Sequence, residues 1–88
     1  MEFITDLPHW VPVTRLYRHG DHHVAVTVLD FWDARGTNVF LCDEQGVAID
    51  ADGDPSNGLT ALLELEHGTT FEQACQVAIP ALEALPGS

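Results

Sequence analysis

The stretch HHVAVTVLDF, His22 to Phe31, decides the fold. Val24, Val26 and Val28 alternate with Ala25, Thr27, Leu29 and Phe31, a period of two in β-branched and apolar residues. Both alternating sets are apolar, so the strand is expected to be covered on both faces and to run through the middle of a sheet. Its N-terminal neighbour is Gly20-Asp21, a two-residue hairpin signal, and Val13 to His19 before that alternates Val13, Arg15 and Tyr17 with Thr14, Leu16 and Arg18. An antiparallel hairpin over 13–31 follows. Asp33-Ala34-Arg35-Gly36 reads as the next turn, and TNVFLC, Thr37 to Cys42, as a third strand. Asp43-Glu44-Gln45-Gly46 has the composition of a type I turn with glycine at the left-handed bulge position, returning the chain into a fourth strand at Val47 to Ile49.

The flanks are weaker signals. Prolines at 8 and 12 bar helix from residues 1–12 and make them an extended lead-in, with Trp10 a candidate clamp on the edge of the core. LTALLELE, Leu59 to Glu66, alternates as a strand would, although most of its residues also favour helix; strand is the preferred reading. Thr69 stands three residues before Glu72, the spacing of a capping box, and opens a helix that carries Phe71, Ala74, Cys75 and Ala78 on one stripe. That helix should cover 69–85 with an interruption at Pro80, which lacks the backbone donor. The expected architecture is α+β: one domain over 1–88, in which 13–66 form a small antiparallel meander of four to five strands packed by the C-terminal helix.

Charge separates the two parts of the chain. The net charge is −11, and lysine is absent. Residues 1–35 hold five acids against Arg15, Arg18 and Arg35, a balance of −2; residues 36–88 hold nine acids and neither lysine nor arginine, a balance of −9. Such a field repels nucleic acid and anionic membrane surfaces and attracts basic protein surfaces. The plain interpretation is a solvated, solubilising face. The sharper one is a docking surface for a protein with a basic patch, or an imitation of a nucleic-acid backbone that inhibits a DNA- or RNA-binding protein. Trp32, Asp43, Glu44, Asp50, Asp52 and Asp54 are the candidate protein-binding residues, an aromatic and acids set in turns.

Two clusters raise the possibility of metal. His19, His22 and His23 surround the hairpin turn, where His19 and His22 would face each other. Asp50, Asp52 and Asp54 match the opening ligands of a calcium loop, but Pro55 stands where that loop needs glycine and Ala61 where it needs glutamate, so turn formation explains them better. No cofactor is expected. Neither is an enzyme: Ser56 has no nucleophile-elbow context, Cys42 and Cys75 sit on apolar patterns, and the lack of lysine excludes Schiff-base chemistry. Two well-separated cysteines and the absence of a signal-like or membrane-spanning run point to a reduced, cytoplasmic setting. Exposed sheet edges in a domain of this size make a homodimer conceivable.

Taken in order, RLYRH (15–19), VAVTVLDF (24–31), TNVFLCDEQGVAID (37–50) and HGTTFEQA (67–74) resemble small uncharacterised proteins encoded by bacteriophages of actinobacteria. The resemblance covers about residues 14–78. It implies strands followed by a hairpin and a short capped helix, a place of action in the host cytoplasm, and no catalytic residues.

Overall fold

The computed structural model describes residues 1–8, 10, 13–30, 35–50 and 61–85, with Asp30 described for its backbone only. Among the described residues five strands form one antiparallel sheet: β1 (Glu2–Asp6), β2 (Thr14–His19), β3 (His22–Asp30), β4 (Arg35–Cys42) and β5 (Leu63–Leu65). Their order in the sheet is their order in the chain, a meander, and one helix, α1 (Phe71–Glu83), packs on it. The expected α+β class is the observed one.

The hairpin at the centre is built as the alternation requires. His19 pairs with His22 across Gly20-Asp21, and the register continues to Thr14 opposite Thr27. Gly20 has φ +61° and no non-glycine residue described has a positive φ, the pattern of a type II′ turn. β3 lies third of five, as its two apolar faces demand. Val24 and Val26 point to the helix side, with Tyr17, Val39 and Leu41 beside them, and meet Ala74, Cys75, Ala78 and Leu82 of α1. Ala25 points the other way into a smaller cluster with Leu7, Leu16 and Cys42, onto which Trp10 and Phe40 pack. Thr14 and Thr27, both buried, satisfy each other through their hydroxyls at 3.1 Å.

The lead-in does more than run extended. Glu2–Asp6 forms an edge strand against β2, with a register shift between Phe3 and Thr5 that marks a bulge at Ile4. The Asp43–Gly46 turn then clamps the chain that follows it. Asp43 Oδ1 accepts from the backbone N–H groups of Gln45 (2.8 Å) and Val47 (3.0 Å), and Gly46 takes φ +81°. Leu7 packs so closely on Gly46 that an added Cβ would lie 2.6 Å from its Cδ2, and the Trp10 indole N–H donates to the Gly46 carbonyl at 2.9 Å. Trp10 is thus the clamp that its position implied.

Several boundaries differ from the sequence expectation. Arg35 and Gly36, read as turn, already belong to β4, because Asp30 pairs with Arg35 and the connection is confined to residues 31–34, outside the described residues. Val47 to Ile49 falls short of a strand: Ala48 bridges Cys42, held by the bonds from Asp43 N–H to Val47 O and from Ile49 N–H to Leu41 O. β5 holds only Leu63–Leu65 of the longer run expected there, of which 59 and 60 lie outside the described residues. The helix cap is Thr70, one residue later than expected: its hydroxyl accepts from Gln73 N–H, and the Gln73 side chain accepts from Thr70 N–H, each at 3.1 Å. Thr69 is otherwise engaged, its hydroxyl donating to Glu66 O at 2.8 Å and its carbonyl accepting from the buried Thr37 at 2.7 Å. Pro80 does not interrupt the helix, which continues to Glu83. Gln76, whose carbonyl lacks the i+4 donor, and Pro80 are both exposed, so that missing bond falls outside the core.

Candidate functional site

The residues expected to carry function separate into three fates. Trp32, Asp52 and Asp54 lie outside the described residues, as does most of the calcium-like loop. Asp43 is spent on its own turn, with its carboxylate bonded to two backbone N–H groups. Glu44, at the tip of that turn, and Asp50 are exposed.

The histidines do not converge. His19 and His22 are a cross-strand pair on the helix side, where His19 Nε2 sits 3.3 Å from Glu83 Oε1 near the end of α1. His23 is one residue further on and so projects from the opposite face, paired with Arg18 and Cys42. Among the described residues no three His, Cys, Asp or Glu side chains are placed to hold a metal ion. Strand alternation is the reason: adjacency in sequence at 22 and 23 is opposition in space.

The cysteines are core residues. Burial, reinforced by the Asp43 carboxylate, pushes the Cys42 thiol up to about 12. Burial raises Cys75 as well, and raises Tyr17 beside it. Both thiols are free, and they belong to different apolar clusters on opposite sides of the sheet. Thiols so buried and so weakly acidic have little nucleophilic thiolate.

Electrostatics divide the surface along the order of strands. At the β1 edge each acid meets an arginine: Glu2 bonds Arg18 at 2.5 Å, and Asp6 lies 3.8 Å from Arg15. The Arg15 guanidinium also covers the Phe71 ring at 4.3 Å and approaches Phe3 at 5.8 Å. Arg35 stands opposite Asp30 in the β3–β4 register. No lysine or arginine follows it in the chain, and Glu44, Glu64, Glu66 and Glu72 are exposed carboxylates on that following segment.

Next to two of these acids is a groove. It lies between β5 and the first turns of α1, has a volume of about 410 Å³, and is lined by Leu65, Glu66, Thr69, Gln73, Gln76 and Val77. Val77 is 46% exposed although it is apolar. Sequence reasoning missed this feature because the groove joins residues from two elements. The available signal was LEL itself, in which Glu64 must face away from the side on which Leu63 and Leu65 meet the helix.

Residues 2–79 match the profile of DUF7572, a family of unknown function. The chain belongs to the DUF7572 family. No curated protein matches the sequence and no solved structure matches the fold. The matched span of this DUF7572 chain takes in all five strands and most of α1, and with them the whole groove. No described helix is long and apolar enough to cross a membrane.

Proposed function

We propose that this DUF7572 chain is a small non-enzymatic interaction module of the cytoplasm that binds a protein partner with a basic surface. The observation that carries the reading is the uneven pairing of carboxylates. Those on β1 are matched by Arg15 and Arg18, whereas Glu44, Glu64, Glu66 and Glu72 are exposed on the segment after Arg35, which holds no lysine or arginine. A field of that sign speeds encounter with cationic surfaces and is screened by salt. The buried, weakly acidic thiols favour a packing role over a catalytic one and agree with a reducing compartment. The resemblance to actinobacteriophage proteins makes an actinobacterial lysate the natural source of partners.

The test is capture from such a lysate on immobilised protein, in parallel with a Glu64→Gln/Glu66→Gln/Glu72→Gln variant. The expected result is a partner that elutes between low and moderate salt and is lost with the variant. A partner held equally by both proteins at high salt would contradict the reading. If double-stranded DNA also displaces the salt-sensitive partner, the carboxylates act as a nucleic-acid mimic.

A further inference from the structure

The groove beside β5 has a shape that a flat acidic surface lacks. Among the described residues β5 is the last strand of the sheet, so its outer side is an edge, where backbone N–H and C=O groups are placed to pair with another strand. The wall next to that edge is α1, presenting Gln73, Gln76 and the half-exposed Val77. A strand edge beside a helix wall is the arrangement in which an extended peptide adds to a sheet, held by main-chain bonds and read by alternate side chains.

We propose that this groove binds an extended segment of a partner protein in which apolar and basic residues alternate, and that the segment adds to the sheet as a sixth strand. The inference rests on the basic-partner reading above and deepens it. Alternation follows from the two sides of β5. Leu63 and Leu65 pack toward the helix, so an added strand sets every second side chain over Leu65 and Val77, where an apolar group fits. The intervening side chains fall on the opposite side of the sheet, which β5 marks with the exposed Glu64, placed opposite Asn38 of β4. A cation there meets a carboxylate across the strand pair. Glu66, in the lining of the groove, has the same sign. A second copy of this chain is a poor occupant by charge. Its edge strands are Leu-Glu-Leu and Glu-Phe-Ile-Thr-Asp, and either would set carboxylates beside Glu64 or Glu66.

The two edges of the sheet are unequal candidates. β1 carries a bulge and matched ion pairs, both of which discourage strand addition; β5 has the groove and an exposed acid.

The test titrates the full chain with a short synthetic peptide of alternating valine and arginine, following backbone amide shifts by NMR. Two control peptides accompany it, one with the same composition but its arginines grouped at one end, and one N-methylated on the amides that would pair. Shifts are expected at Leu63–Leu65 and along Gln73 to Val77, with weaker binding of both controls. Val77→Lys, an exposed substitution that should leave the fold intact, is expected to weaken the alternating peptide about tenfold, because it sets a charged side chain where the peptide's valines pack. Ile4→Lys on β1 should leave binding unchanged. Equal binding of all three peptides, or shifts centred on Glu2–Asp6, would overturn the groove and leave the basic-partner reading standing. No binding of any arginine peptide even at low salt would overturn both.

Discussion

The two edges of this sheet are made of similar backbone and opposite surroundings. β1 has five exposed residues, a bulge at Ile4, and two acids each held near an arginine of β2. β5 has three residues, leans on the first turns of α1, and borders a groove with a carboxylate in its lining and no lysine or arginine. The difference teaches where a small sheet protein can accept a partner. Twist and satisfied charge close one edge, while shortness alone guards the other. It also ties function to the helix, because α1 is at once the lid of the main core and the wall of the groove.

Removing that lid should have the largest effect. Leu82 is completely buried where α1 meets Val24, Val26 and Val39, so Leu82→Ala should lower the unfolding free energy by about 3 kcal/mol, the usual scale for a cavity of this kind. Denaturant titration checks the magnitude. Loss of fast amide protection on the β5 side before β1 separates from β2 would sharpen the contrast between the edges.

Gly36→Ala is a more local break. Gly36 has φ +146°, and a Cβ there would sit 2.8 Å from the Leu65 carbonyl oxygen, a backbone atom that can move only if β5 moves. The expected cost is about 2 kcal/mol, from a conformation other residues rarely adopt together with the clash. β5 amides should exchange faster, β1 amides should not, and the alternating peptide should lose its site. Equal loosening of both edges would show that β5 is not an independent element.

Alkaline pH tests the other side of the sheet. The Cys42 thiol has an ordinary value of 9.0 and is raised to about 12 in the folded chain. The folded state therefore keeps the proton that the unfolded state releases, and stability falls as pH rises from 9 toward 12. By pH 10 the loss should be on the order of 1 kcal/mol, about one unit's worth of linkage. Because Cys42 packs with Leu7 and Leu16, thermal scans at pH 8 and pH 10 should differ in wild type and agree more closely in Cys42→Ala. The smallest effect belongs to the β1 ion pair: Arg18→Ala should change stability by no more than about 0.5 kcal/mol, since both partners are half exposed. A larger loss would mean that the β1 edge depends on its charges for more than closure.

Much of this fold can be read in the sequence, for identifiable reasons. Val24 to Val28 alternates under strong β propensity, Gly20-Asp21 permits one kind of turn, and Asp43 with Gly46 supplies both side-chain and backbone requirements of another. β1 could not be read this way. All five of its residues are exposed, so no burial pattern marks it, and its existence depends on pairing with Arg15 to Arg18. The cap falls at Thr70 and not at the expected Thr69, because Thr69–Glu72 and Thr70–Gln73 have the same spacing and spacing alone does not choose between them. Packing of Ala74, Ala78 and Leu82 selects the phase, and Thr37 holds the carbonyl of Thr69. Of the candidate site, the excess of unmatched carboxylates is a property of composition and visible at once. The groove is tertiary, joining Leu65 to Val77, and the histidine trio failed for the complementary reason that neighbours on a strand face opposite ways.

The central claim is that β5 and α1 form the receptive edge and β1 the closed one. Hydrogen exchange on the complex with a captured natural partner tests it most directly. Slowed exchange at Leu63–Leu65 and at the exposed face of α1 around Gln73 to Val77, with Glu2–Asp6 unchanged, is the predicted result. New protection on Glu2–Asp6 with β5 unchanged would contradict it.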